Sequence, residues 1–199
     1  MSAAPRIVAI SVALAQPLRV DGRLTVASGI RKQPRAGPVA VRPLGLEGDE
    51  QADLSVHGGL DKAVYAYPRE HLPFWREQRR ARGIAPADTA LQPGFIGENL
   101  LLAGLLERDL WVGDTLHFDG SDCVLRVTAP RQPCYKLGLV TSLPEAGRLM
   151  VREGICGFYL AVDAPGKLAA GMAIGVTPGP RQLGLTEAMR AKWARYRSD

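Results

Sequence analysis

The chain has 199 residues and a mass of 21.4 kDa, enough for one domain with a self-sufficient hydrophobic core. Hydrophobic residues make up 46% and charged residues 23%, which excludes global disorder, while 22 glycines and 15 prolines demand many turns and favour a β-rich architecture. A net charge of +5 suits an anionic ligand but is too mild for nucleic acid, and no basic stretch is interleaved with aromatics as a base-stacking platform requires.

Residues 6–14 form a continuous apolar run and predict a buried first strand. Residues 16–38 read as a long connection containing Gly and Arg, and loops of that length are uncommon without a function. Residues 39–42 and 63–67 read as short strands. Pro68 opens a helix running toward Arg82 and closed by Gly83, with Arg79, Arg80 and Arg82 at the negative end of its macrodipole. Pro73 conflicts with that helix, because an interior proline kinks it or delays its start. Glu98 and Asn99 follow a glycine at a loop-to-strand transition.

Residues 111–118 alternate, with Val112, Leu116 and Phe118 on one face and Thr115 and His117 on the other. A turn at Asp119-Gly120 leads to a strand over residues 123–128, where Cys123, Leu125 and Val127 share the apolar face, so Cys123 reads as core. Leu143-Pro144 opens a short helix ending at Gly154, and residues 156–162 and 172–176 read as the last strands, with Cys156 again as packing. Leu185, Met189, Trp193 and Tyr196 recur at helical spacing after a cap at Thr186. That helix is expected to dock on the barrel or on a partner subunit, as in a homodimer. The sum is a mainly β protein, a β-rich α+β barrel with a few peripheral helices. Its barrel domain spans residues 1–180 and a short helical tail spans 181–199.

Three cysteines (Cys123, Cys134 and Cys156) without a pairing pattern point to a reducing, cytoplasmic compartment. No run approaches the length of a membrane span, and the N-terminal run lacks the charged start and cleavage site of a secretory leader. The absence of a Cys-x-x-Cys pair, and of i, i+4 spacing among His57, His71 and His117, argues against zinc. No glycine fingerprint for a dinucleotide or nucleoside triphosphate occurs, and three cysteines cannot alone ligate an all-cysteine iron–sulfur cluster. Neither flavin nor haem is expected.

The densest chemistry lies in residues 128–137. Cys134 follows Pro130 and Pro133, so it belongs to neither a helix interior nor a paired central strand. Arg131 and Lys136 flank it, and nearby positive charge favours a thiolate. These residues alone leave two readings open, a metal ligand or nucleophile and a packed small hydrophobe. His57-Gly58-Gly59 allows a close backbone approach to a ligand or a tight turn. Asn99 offers the donor and acceptor that a heterocycle edge needs. Arg31, Lys32 and Arg42 lie where they could meet a phosphate, or are ordinary surface charge.

Taken together, Gly48-Asp-x-Gln-Ala-Asp-Leu-x-x-His-Gly-Gly-x-Asp-Lys-Ala-Val64, Gly97-Glu-Asn-Leu100 and Pro130-Arg-Gln-Pro-Cys-Tyr-Lys-Leu137 resemble the MOSC family, the molybdenum cofactor sulfurase C-terminal domain. They look most like its bacterial stand-alone YiiM-type branch, and the resemblance covers residues 5–178. It implies a fold related to the pyruvate kinase β-barrel domain and a molybdenum–molybdopterin cofactor. Cys134 would be the molybdenum ligand or sulfur carrier, with Arg131 and Lys136 keeping it deprotonated. Lys32 and neighbouring basic residues, Arg42 among them, would hold the cofactor phosphate. Asn99, His57, Gly58 and Gly59 would line the pterin and metal pocket.

The same resemblance implies reduction of small N-hydroxylated compounds, with His57 as a candidate proton donor. The missing nucleotide fingerprint then requires a separate flavin or iron–sulfur reductase as electron donor. Two other functions are compatible with the motifs, a persulfide carrier at Cys134 and a non-catalytic cofactor-binding module. Pyridoxal phosphate belongs to a separate domain of the full sulfurases that no segment here fits. Three departures from the family stand out: one terminal helix in place of a three-helix domain, Leu101-Leu102 in place of more polar residues, and Pro73. The last two are expected to reshape the pocket rim or the adjoining surface.

Overall fold

The computed structural model describes residues 4–20, 24–52, 58–85 and 91–194. In chain order its strands are β1 (Arg6–Val12), β2 (Gln16–Arg19), β3 (Thr25–Ser28), β4 (Gln33–Pro34), β5 (Val39–Arg42), β6 (Gly45–Leu46) and β7 (Val64–Pro68). There follow β8 (Leu100–Ala103), β9 (Thr115–Phe118), β10 (Val124–Pro130), β11 (Phe158–Ala164), β12 (Gly166–Leu168) and β13 (Ile174–Thr177). The helices are α1 (Leu72–Ala81), α2 (Lys136–Thr141), α3 (Ala146–Glu153) and α4 (Leu185–Trp193).

Eight strands make one sheet in the order β13-β9-β10-β11-β7-β8-β1-β4, antiparallel except where β7 meets β8. Parallel neighbours cannot be joined by a tight turn, and α1 supplies the crossover between them. The sheet closes on itself. The Ile7 N–H donates to the Met172 carbonyl at 3.0 Å and the Ile174 N–H to the Pro5 carbonyl at 2.8 Å, so the start of β1 meets the approach to β13. Register shifts in β1 and β10 supply the local bending that closure needs.

Closure gives several strands two buried faces. Val64 and Ala66 of β7, Leu100 and Leu102 of β8 and Phe158 and Leu160 of β11 point into the barrel core. The alternate residues Tyr65, Tyr67, Leu101 and Tyr159 join a second core outside the barrel, capped by Trp75 of α1, Leu137 of α2, Leu149 and Met150 of α3 and Met189 of α4. This double burial explains why β7 and β8 read as continuous apolar runs rather than alternating ones.

The mainly β reading holds, and several local expectations are corrected. Residues 16–38 are no open loop, since β2 and β3 form a hairpin and β4 pairs with β1. Pro73 is the second residue of α1, after a short 3-10 turn, so it starts the helix instead of breaking it. Leu101 and Leu102 are 4% and 0% exposed in the two cores, so neither shapes a pocket rim. Gly184, not Thr186, caps α4, and its Leu185, Met189 and Trp193 pack on this same chain. Tyr196, expected on the same face, lies outside the described residues.

Candidate functional site

Pro130 ends β10 opposite Phe158, and the Arg131 N–H donates to the Gly157 carbonyl at 3.1 Å. The backbone then leaves the sheet, and Cys134 precedes α2, its carbonyl accepting the Leu137 N–H at 3.0 Å. Cys134 is therefore half-buried on an irregular segment, as its two prolines predicted. The other thiols are core: Cys123 and Cys156 are 1% and 0% exposed, and burial pushes them up to about 11 and about 12. Neither is a thiolate near neutral pH.

Cys134 lines a cleft of about 120 Å³ between the turn after β6, the start of β7 and the segment after β10. Arg131 forms part of its wall and is 5% exposed. Its guanidinium stands 5.1 Å from the Tyr65 ring centroid, and Nη1 touches the Met150 sulfur at 3.5 Å. Among the described residues no carboxylate forms an ion pair with it. Burial opposes its charge, but Tyr65, Tyr159 and Cys134 more than offset this and raise its pKa. A buried cation without a carboxylate partner favours an anion in the cleft beside it. Tyr159 is pushed above its ordinary value by burial, opposed by Arg131, and stays protonated at neutral pH. The Lys62 ammonium lies 5.9 Å from the Tyr159 ring centroid, and Lys136 Nζ donates to the Ala27 carbonyl at 3.3 Å.

Opposite this basic side lies a polar network that holds the wall. Lys32 also faces the cleft but is paired with Asp49, and burial lowers its pKa against the pull of that carboxylate. Asp49 additionally accepts the Ala13 N–H at 2.9 Å and Asn99 Nδ2 at 2.9 Å. Asn99 Oδ1 accepts the Tyr65 N–H at 3.0 Å, and Nδ2 reaches the Ser11 carbonyl at 3.2 Å. Its amide is thus engaged within the chain, tying β1, β7 and the Asp49 turn together. Glu98, 1% exposed, accepts the Gly94 and Ile96 N–H groups at 2.6 and 3.0 Å, and burial pushes its carboxyl up to about 7.

Six of the residues singled out in the sequence therefore face one cleft: Lys32, Gly58, Asn99, Arg131, Cys134 and Lys136. Gly59 adjoins it, its N–H donating to Gln51 Oε1 at 3.0 Å. Arg42 lies elsewhere, exposed and 3.5 Å from Glu47. His57 lies outside the described residues. Five participants carried no assigned role in the sequence: Asp49, Gln51, Lys62, Tyr65 and Tyr159. Asp49, Gln51 and Lys62 sit inside the first motif and were legible as part of it. The tyrosines were not, because only strand pairing reveals which face of β7 and β11 they occupy.

Residues 53–175 match the MOSC domain family. Protein YiiM of Escherichia coli strain K12 is 36% identical over 166 residues, covering 83% of this chain and 71% of that protein. A longer Gibberella moniliformis protein named Reductase is 33% identical over 155 residues, 78% of this chain and 26% of its own length. The crystal structure of YiiM from Geobacillus stearothermophilus superposes with a TM-score of 0.74 at 31% identity, covering 96% of this chain and 85% of that one.

Proposed function

Because the chain belongs to the MOSC domain family, we propose that it holds the molybdenum cofactor through Cys134 and reduces small N-hydroxylated compounds to amines. The observation that carries this reading is the buried Arg131 guanidinium, unpaired with any described carboxylate, in the wall of the cleft that holds the one half-buried thiol. Soft sulfur beside uncompensated positive charge matches an anionic metal group. The cleft volume of about 120 Å³ is below the roughly 300 Å³ of ordinary ligand pockets. It suits the metal end of such a group, not a whole pterin.

When bound, the cofactor supplies a redox-active metal able to exchange an electron pair with an N–OH substrate. The chain's own residues do the rest. Cys134 Sγ ligates as thiolate, and Arg131 keeps it anionic. Lys62 and Lys136 add positive charge at the cleft. Tyr159, kept protonated by burial, presents a phenolic Oη as hydrogen-bond donor. Asp49 and Asn99 hold the wall, and Lys32, engaged with Asp49, is one phosphate candidate. His57 is proposed as a proton source. The net reaction, R–NH–OH + 2 H⁺ + 2 e⁻ → R–NH₂ + H₂O, breaks one N–O bond. The electrons come from a separate flavin or iron–sulfur reductase.

The relative named Reductase supports a redox role. Among the described residues no helix is long and apolar enough to cross a membrane. A cytoplasmic setting belongs to the proposal and is supported by three reduced cysteines. The test is turnover of N-hydroxylated substrate by cofactor-loaded protein with a chemical electron donor. Cys134→Ser should lower the rate by about 100-fold or more. An undiminished rate overturns the reading, and a persulfide on Cys134 in metal-free protein would favour sulfur carriage instead.

A further inference from the structure

Arg131 is supported in two ways, and both lead to one peptide group. Its guanidinium stands 5.1 Å from the Tyr65 ring centroid, and Tyr65 Oη donates to the Cys156 carbonyl at 2.9 Å. Its own N–H donates to the Gly157 carbonyl at 3.1 Å. Pro130 and Pro133 have no N–H to give, so that bond ties the start of the Cys134 segment to the approach of β11. The Cys156–Gly157 peptide thus fixes the ring under the guanidinium through its carbonyl. It also directly precedes the carbonyl that anchors the Arg131 backbone. Its N–H donates to Glu107 Oε1 at 2.8 Å.

Glu107 is 4% exposed, at the start of the 3-10 turn Glu107–Asp109 between β8 and β9. Its other oxygen, Oε2, meets His71 Nε2 at 2.8 Å. His71 is itself held in place. It ends the 3-10 turn Arg69–His71, in which Glu70 Oε1 accepts the Gly104 N–H at 2.7 Å. Its ring meets Tyr67 edge to face with centroids 5.5 Å apart, and Tyr67 Oη accepts the Trp75 Nε1–H at 2.7 Å. A buried carboxylate is costly unless its oxygens are bonded, and a charged acceptor holds a backbone N–H roughly twice as strongly as a neutral one. Here both oxygens are engaged by fixed partners. Glu107 and His71 line a groove of about 1380 Å³ bordered by α3 and α4, and neither lines the cleft. Any influence they have on the cleft runs through the Cys156–Gly157 peptide.

We infer that Glu107, oriented by His71, is a positioning residue: through the Cys156–Gly157 peptide it holds the Arg131 guanidinium beside the Cys134 thiol. Its effect on turnover rests on the proposed reductase function. The placing of a cation beside the thiol does not, and it is tested on metal-free protein.

Alkylation of Cys134 by iodoacetate and by iodoacetamide measures that cation. Both reagents attack the same thiolate, so the ratio of their rates cancels the thiolate fraction and reports the field met by the anionic reagent. Cys123 and Cys156 are 1% and 0% exposed and do not compete. Arg131→Met gives the ratio without the guanidinium. Glu107→Ala should lower the wild-type ratio by about fivefold, close to the Arg131→Met value. Charge alone acts in the other direction, because losing a carboxylate favours an anionic reagent. Glu107→Gln loses that charge but can still accept the Gly157 N–H and donate to His71, so it should keep the wild-type ratio or exceed it. If the alanine variant does not fold, Glu107→Asp takes its place: it keeps the charge, shortens the reach and should lower the ratio by about twofold or more. A wild-type ratio in the folded variant overturns the inference. So does a fall in Glu107→Gln as deep as in Glu107→Ala, or a wild-type ratio no higher than that of Arg131→Met. If Cys134→Ser leaves turnover intact while the ratios behave as expected, the reductase function falls and the positioning role stands.

Discussion

Burial, more than any neighbouring charge, sets the protonation of Glu98. Its carboxyl rises from 4.5 to about 7 because desolvation outweighs the N–H donors of Gly94 and Ile96 and the field of Lys32. The native state therefore binds this proton more tightly than the unfolded chain does. Below pH 4.5 both states are protonated and the group costs nothing; stability then falls as pH rises to about 7, by roughly 3 kcal/mol, and stays lower above it. Urea unfolding across that range should show the wild type losing this amount relative to Glu98→Gln. A difference independent of pH would contradict it. Cys134, Arg131 and Lys136 were legible as a group because prolines and charges lie within six residues of one another in sequence. The engagement of Lys32 by Asp49 was not, because the partners are 17 residues apart and meet only after β4 pairs with β1.

Gly157 is where the site is fastened to the barrel. Its N–H donates to Glu107 at 2.8 Å, and its carbonyl receives the Arg131 N–H at 3.1 Å. It adopts φ +66, and a Cβ there would lie 2.5 Å from the Ala66 carbonyl oxygen and 2.8 Å from the Tyr67 ring. Gly157→Ala should therefore cost about 3 kcal/mol or more, against about 1 kcal/mol for Gly120→Ala at φ +74 with open space around it. Thermal unfolding of the two variants checks this, and equal losses would refute the close approach. Long periodic or apolar elements were readable from the chain: β1, α1, β10, β11 and α4 lie near their expected places. The β2–β3 hairpin escaped notice because β2 has Pro17 and buries only Leu18. β6 and β12 are two and three residues long and exist through pairing with β5. α2 escaped because Gly138, Val140 and Thr141 weaken helix propensity over six residues.

The three motif segments are far apart in sequence and converge because the barrel sets β10, β11, β7, β8 and β1 side by side. The first motif leads into β7, the second into β8, and the third leaves β10, so this strand order brings Asp49, Asn99 and Cys134 to one cleft. This is why family membership was visible in short motifs while the groove beside α4 was not. The groove depends on how α3 and α4 pack on the second core, and no local pattern encodes that. In the proposed function Cys134 is a ligand to the metal. Molybdenum K-edge X-ray absorption on cofactor-loaded wild type and Cys134→Ser measures this directly. Loss of one sulfur neighbour from the metal in the variant is the predicted result, and an unchanged sulfur shell would contradict it.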